Sequence, residues 1–142
     1  LDNITIGKPS VTTKEAAEAL KAVGLADQVN MLPNGMKSEI IGGGKGYSSS
    51  FINKLILARC LVKKPRLMIL NDFFTMFQRS EKERLIDLVI EKSPCTLIAV
   101  SNDPQVMSAC DRVLILDDGS ITAEGTFEEL LKKGLLNDLI KV

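Results

Sequence analysis

An α/β fold is predicted by three features of the sequence. Short apolar stretches at 67–70 and 96–100 alternate with segments of helical period, and Asp118-Gly119 separates two further strand-like stretches near the C-terminus. Strands alternating with helices imply right-handed crossovers and a mainly parallel sheet with flanking helices. The Asp-Gly pair has the chemistry of a two-residue hairpin turn, which adds a terminal β-hairpin.

The elements follow in order. Thr12-x-x-Glu15 is a capping box, in which a side-chain oxygen satisfies a free N–H of the first turn, and Gly24 is placed to end the helix it opens, so 13–23 is helical. A shorter amphipathic piece spans 25–31, and the glycine-rich stretch 33–46 reads as turns and loop. Ser48 then caps a long helix whose apolar positions Phe51, Leu55, Ala58 and Val62 recur at three- and four-residue steps. Ile52 and Ile56 widen that stripe, so much of the helix is buried, and Lys63-Lys64-Pro65 stops it.

At Arg66 the period changes. Residues 67–70 form a continuous apolar run ending in Asn71-Asp72, the pattern of a parallel strand covered on both faces. Ser80-x-x-Glu83 reads as a second capping box, opening a helix that turns Leu85, Leu88 and Val89 inward and closes at Ser93-Pro94. A strand at 96–100, a short helix at 104–109 and the hairpin strands 112–116 and 120–123 come next. Thr126-x-x-Glu129 is a third capping box, opening the terminal helices. The boundary between a helical part, 1–64, and a sheet part, 65–142, falls at Lys64.

Composition narrows the function classes. The chain has 142 residues, 45% hydrophobic, enough for one core and too little for two. Eighteen basic and eighteen acidic residues cancel, so no summed positive field is available to hold nucleic acid. Cys60, Cys95 and Cys110 are far apart and there is no histidine, which offers neither a zinc spacing nor an even disulfide framework and fits a reduced setting. Without histidine, acid–base chemistry must use carboxylates or none. No apolar run approaches the roughly 20 residues of a membrane-spanning helix, so a soluble chain is expected.

Ligands of open parallel sheets bind at the carboxyl ends of the strands, which places Asn71-Asp72 and Ser101-Asn102 at one rim. The whole order of segments resembles the ATP-binding-cassette ATPases: a helical subdomain, a Ser-capped helix, a strand ending in acids, a second strand and a hairpin. The likeness is carried by Lys64-Pro65-Arg66-Leu67-Met68-Ile69-Leu70, Asp111-Arg112-Val113-Leu114 and Asp118-Gly119-Ser120-Ile121. Asn3-Ile4 and Leu32-Pro33-Asn34-Gly35 are closest to the exporter branch of that family. The resemblance implies the C-terminal part of the nucleotide-binding domain: the helical signature subdomain and its connections over 1–64, then the C-terminal part of the RecA-like core over 65–142.

Its motifs depart from the family pattern at every site position but Ser48. Where the family signature reads Leu-Ser-Gly-Gly-Gln, this chain has Tyr47-Ser48-Ser49-Ser50-Phe51. Ser48, Ser49 and Ser50 thereby become the positions that would face the nucleotide of a partner subunit. Ser48 keeps an N-cap hydroxyl at a helix N-terminus, whereas Ser49 and Ser50 lack glycine's freedom at positive φ. The family's magnesium-holding aspartate is replaced by Asn71, which brings no charge to a hard cation. Its catalytic glutamate is replaced by Asp72, one methylene shorter; a positioned base contributes roughly 10² to 10⁴-fold, about 3 to 5 kcal/mol of barrier. Its phosphate-sensing histidine is replaced by Asn102, and the Ser-Ala-Leu-Asp loop by Thr75-Met76-Phe77-Gln78.

In the family the P-loop and glutamine loop lie ahead of the segment that Leu1 opens. The cluster Gly42-Gly43-Gly44-Lys45-Gly46 does not stand in for the P-loop, which needs glycine where Glu39 sits and Ser or Thr where Gly46 sits. The resemblance therefore implies ATP and Mg²⁺ as cofactors of the parent protein, with neither bound tightly by this chain alone. It implies a transmembrane domain and a second nucleotide-binding domain as partners, a place on the cytoplasmic side of the inner or plasma membrane, and a weakly or non-hydrolytic site. An unpaired strand edge is expected to self-associate or be protected.

Plainer readings stand beside these. Asn71-Asp72 fits a strand-end turn as well as a vestigial metal site. Asp103-Pro104 is a turn and helix start, and the run 81–84 with Asp87, Glu91 and Lys92 is a solvated helix face. Phe73, Phe74, Met76 and Phe77 put four large apolar groups in one loop and suggest a contact surface. That loop and the Ser-capped helix support the alternative function, a non-catalytic interaction or regulatory module.

Overall fold

The computed structural model describes residues 1–6, 10–40 and 42–140. Position 41 of the predicted loop and positions 141–142 of the predicted terminal helices lie outside them. The chain divides into two compact units, Leu1–Met68 with Pro94–Thr96 and Ile69–Ser93 with Leu97–Val142.

The first unit is built from helices. α1 (Asp2–Thr5), α2 (Thr13–Ala22) and α3 (Ala26–Asn30) accompany α4 (Ser49–Leu61), and α4 packs against both α1 and α2. The predicted capping box forms at the start of α2: the Glu15 N–H donates to Thr12 Oγ1 at 3.2 Å, and the Thr12 N–H returns to Glu15 Oε2 at 3.0 Å. Ala16, Leu20 and Val23, spaced by four and three, then face one way and are buried with Leu25 and Val29. Ser48 caps α4 as expected, its Oγ accepting from Phe51 N–H at 3.1 Å.

The buried stripe of α4 differs from the predicted one. Phe51, Leu55, Ala58 and Val62 are buried as the spacing requires, but Ile56 is 42% exposed, and Leu57 and Lys54 take the flank instead. Hydropathy alone excludes Lys54 from a core, yet a lysine stem carries four methylenes that pack like an aliphatic chain. Before α4, a 3-10 turn (Gly35–Lys37) interrupts the predicted loop. Gly44 has φ +70°, and a Cβ there would meet Ile52 Cδ1 at 2.6 Å, so both backbone and neighbour require glycine.

In the second unit α5 (Arg79–Ile86) continues into a π-helical turn (Asp87–Glu91), followed by α6 (Pro104–Ala109), β3 (Val113–Asp117), β4 (Ser120–Gly125) and α7 (Phe127–Lys132). Ser80 does not cap α5. The helix already begins at Arg79 with Gln78 at the N-cap, and Glu83 turns to the Arg79 guanidinium at 3.0 Å. Leu85, Ile86 and Val89 carry its buried face, while Leu88 is half-buried. The hairpin is as predicted: Asp118 (φ +46°) and Gly119 (φ +74°) both occupy the left-handed region that a tight β3–β4 turn needs. β3 and β4 pair antiparallel with a bulge between Ile115 and Leu116. Met107, Leu130 and Leu136 form the buried cluster beneath, and the Thr126–Glu129 capping box starts α7.

β1 (Leu67–Asn71) and β2 (Thr96–Val100) make a second two-stranded sheet. Thr96 N–H donates to Arg66 O at 3.0 Å and Asp72 N–H to Val100 O at 2.9 Å, the slanted pattern of a parallel pair. These bonds set Ile69 opposite Ile98 and Asn71 opposite Val100 on one face. The α/β class therefore holds, with parallel pairing confined among the described residues to β1 and β2. Burial on both faces does not hold: Met68 and Leu70 are buried, but Leu67, Ile69, Ile98 and Val100 are each at least 50% exposed. The apolar run concealed an alternation, because nothing among the described residues covers the second face.

Two outcomes follow from the helical unit. Gly44→Ala should destabilise the protein by at least about 1–2 kcal/mol, the cost of left-handed backbone for a residue with a Cβ, whereas Gly42→Ala, which meets nothing within 4 Å, should melt like the parent sequence. The Glu15 carboxyl is held below its ordinary pKa, first by the Thr12 backbone N–H, then by the Thr12 hydroxyl, with Lys64 assisting. A depressed carboxylate contributes stability above its unfolded pKa and loses it as pH falls through the folded value. Amide protection at the start of α2, referred to the intrinsic exchange rate at each pH, should fall as pH drops below the ordinary carboxylate range of about 4. Glu15→Gln should remove that dependence, whereas Thr12→Ala, which keeps the backbone N–H, should only weaken it.

Candidate functional site

The rim foreseen at the strand ends is formed by the β1–β2 pairing. Asn71 is the last residue of β1, and the next backbone N–H, of Asp72, reaches Val100 O at 2.9 Å. Asn71-Asp72 and Ser101-Asn102 therefore emerge side by side, with Asn71, Asp72 and Asn102 all exposed. Asp72 adopts φ +46°, ψ +27°, a left-handed conformation that aspartate tolerates better than most residues. Its carbonyl accepts from Thr75 Oγ1 at 2.8 Å, closing the tight turn (Phe73–Met76) that leads to Gln78.

The phenylalanines after Asp72 are not a contact surface. Phe74 and Phe77 are buried, and Phe73 stands edge-on to Phe74 and tilted against Phe77, with ring centroids 5.3 and 5.2 Å apart. Met76 alone of the four is exposed, at 42%. The rings form a local core that pins the turn, which withdraws the loop as support for an interaction module.

On the other side of the rim, Asp103 follows Asn102 and caps α6, its Oδ1 accepting from Gln105 N–H at 2.9 Å. Its Oδ2 is paired with Lys82 Nζ of α5. Sequence reasoning placed Asp103 in the turn and Lys82 on a solvated face. Their pairing bridges 21 positions, a separation that no local motif reports.

The serine cluster belongs to the first unit. Ser48 and Ser49 are exposed and Ser50 half-buried. Ser48 Oγ accepts the Phe51 N–H, which leaves the hydroxyl proton free to donate outward. Ser49 O accepts from Asn53 Nδ2 at 2.8 Å, and Tyr47 stacks on Phe51 with centroids 4.7 Å apart, fixing the entry into α4.

The rim can do limited chemistry. It presents one carboxylate, Asp72, flanked by the neutral amides of Asn71 and Asn102. Mg²⁺ is commonly held by one or two carboxylates together with substrate phosphates, so Asp72 meets the lower bound and Asn71 adds only a neutral oxygen. Among the described residues no three His, Cys, Asp or Glu side chains gather as a metal cluster. No described helix is long and apolar enough to cross a membrane.

The sequence matches no protein-family model. It is similar to a mating factor M secretion protein, mam1, of Schizosaccharomyces pombe, with 28% identity covering 82% of this chain and 9% of that protein. A putative export ATP-binding/permease protein of Rickettsia bellii is 29% identical over 92% of this chain and 23% of its own length. The energy-coupling factor transporter ATP-binding protein EcfA1 of Lactobacillus delbrueckii is 31% identical over 94% of this chain and 44% of its own length. The chain thus spans less than half the length of the curated relatives it matches. In fold it is similar to a bacterial Atm1-family ABC exporter with ATP bound, with a TM-score of 0.88 and 23% identity over 97% of this chain and 25% of that one.

The backbone at the rim makes a checkable demand. Asp72→Asn should leave the melting temperature nearly unchanged, because asparagine also tolerates left-handed backbone. Asp72→Val should cost about 1–2 kcal/mol in chemical denaturation.

Proposed function

We propose that the chain is the C-terminal part of an ATP-binding-cassette nucleotide-binding domain of exporter type, and that its parent couples ATP binding to transport through a site at which this chain's residues hydrolyse weakly or not at all. The observation that carries this is the composition of the rim: the strand ends that face nucleotide in such domains hold Asn71, Asp72 and Asn102. In-line attack by water needs a base within hydrogen-bond reach of that water. Asp72 is shorter than glutamate by one methylene, and its backbone is fixed by Val100 O, by Thr75 and by the packed Phe74 and Phe77. The turn has no slack with which to extend the carboxylate.

Asn102 donates one hydrogen bond toward a terminal phosphate and carries no charge. Ser48, with its donor proton at the start of α4, faces the nucleotide of a second nucleotide-binding domain, and Ser49 and Ser50 narrow the approach that glycines would leave open. Mg²⁺ and ATP are then cofactors of the assembled parent, with Asn71 at the metal-facing position. A transmembrane domain completes the assembly at the cytoplasmic side of the membrane, and the open strand edge is covered there or self-associates. The 142 residues contain no P-loop pattern, so they are expected to bind nucleotide poorly by themselves.

Titration of the chain with Mg-ATP should show no micromolar binding, and a micromolar affinity overturns the proposal. For the parent protein, steady phosphate release that is abolished by Asp72→Asn would show Asp72 acting as a working base and overturn the reading of a degenerate site.

A further inference from the structure

We propose that Lys82 and Asp103 are positioning residues for Asn102: a largely buried ion pair between α5 and the start of α6 that holds the tip of β2 against the element following the β1 turn. The two side chains are 18% and 16% exposed, whereas pairs such as Arg79–Glu83 and Arg112–Glu124 leave one partner 85% and 67% exposed. A shielded pair is less screened by solvent and salt and so holds one geometry more firmly.

Asp103 is committed at every polar atom. Oδ1 accepts from Gln105 N–H at 2.9 Å and Oδ2 takes the Lys82 ammonium. Its own N–H donates to Ser101 Oγ at 3.1 Å, and its carbonyl accepts from Val106 and Met107 N–H, both at 3.0 Å. The residue after Asn102 is therefore fixed from three directions, and Asn102 inherits its place from that anchor. Lys82 is equally placed: its N–H bonds to Gln78 O at 2.8 Å, so it sits one turn into the helix that the 75–78 loop feeds. Movement of that loop reaches Asn102 through the ion pair, and a second contact, Gln105 Nε2 to Glu83 Oε1 at 3.4 Å, runs alongside. What Asn102 faces rests on the proposed function; the clamp itself does not.

The test uses the 142-residue chain and four variants. Lys82→Met keeps the stem and removes the charge, Asp103→Asn keeps the helix cap and removes the charge, Lys82→Arg conserves the pair, and the fourth variant combines Lys82→Met with Asp103→Asn. Hydrogen exchange by NMR is read at the Asp103 and Gln105 amides, together with the Asn102 backbone and side-chain resonances. Each neutralising variant should speed exchange at both amides by about tenfold or more and shift Asn102, with the β3–β4 hairpin unchanged. The double variant should be no worse than either single, and Lys82→Arg should behave like the parent sequence. Unchanged exchange, effects that multiply in the double variant, or Lys82→Arg behaving like Lys82→Met overturns the clamp. Should Lys82→Met fail to fold, Asp103→Asn against Lys82→Arg gives the same comparison. Mg-ATP affinity of the parent protein unaltered by Asn102→Ala overturns the nucleotide-facing role of Asn102, an outcome the exchange data distinguish from failure of the clamp.

Discussion

The parallel pairing of β1 and β2 is the constraint on which the candidate site depends. Its two outer hydrogen bonds, Thr96 N–H to Arg66 O and Asp72 N–H to Val100 O, fix the register. That register decides two things together. It directs Met68 and Leu70 to the buried face, and it brings Asn71-Asp72 to the same level as Ser101-Asn102. A slip of one residue would turn Ile69 inward and Met68 outward and separate the two rim dipeptides. Packing and site geometry are thus one requirement, and the phenylalanine cluster that pins the turn after Asp72 serves both.

What was legible in the sequence was local. The Thr12 and Thr126 capping boxes, the Ser48 cap, the Asp118-Gly119 turn and the Asp103-Pro104 helix start each depend on residues within four positions, and each is present. The position of the rim was also legible, since strand ends in an α/β order converge by topology. Two errors arose where competing local signals looked alike. Ser80-x-x-Glu83 satisfies the capping pattern, but the chain leaves the Phe73–Met76 turn extended at Phe77, so helical dihedrals are reached at Arg79 and Ser80 is already inside. Four apolar residues in the loop read as a surface because sequence does not report that Phe74 and Phe77 point inward.

The remaining differences are long-range. The open face of Ile69 and Ile98 and the pairing of Lys82 with Asp103 depend on which elements meet, and no periodicity within one element contains that information; Lys54 stands at helical spacing from the buried Phe51, Leu57 and Ala58, and only its charge argued against a place in the core. Lys82 illustrates the point: in the linear run 81–84 it lies among charged residues and reads as solvent-facing, but at helical spacing it sits beside the buried Leu85, Ile86 and Val89, and pairing with Asp103 at the start of α6 completes its enclosure.

The charges at the rim limit what this chain can contribute to a nucleotide site. Asp72 is anionic, Asn71 and Asn102 are neutral, and the Lys82 ammonium is committed to Asp103. Such a rim has no free cation of its own among these groups with which to attract a polyphosphate. Attraction must therefore come from a metal ion, from helix N-termini, or from segments and subunits beyond these residues. What the rim can supply is geometry: amide donors held by a fixed strand register and tied through one ion pair to the helix that follows the loop. Within the proposed function, a group whose position is that firmly set, and whose charge is absent, is suited to registering the presence of phosphate by its hydrogen bond and to transmitting that contact through the backbone. It is poorly suited to driving the bond cleavage itself.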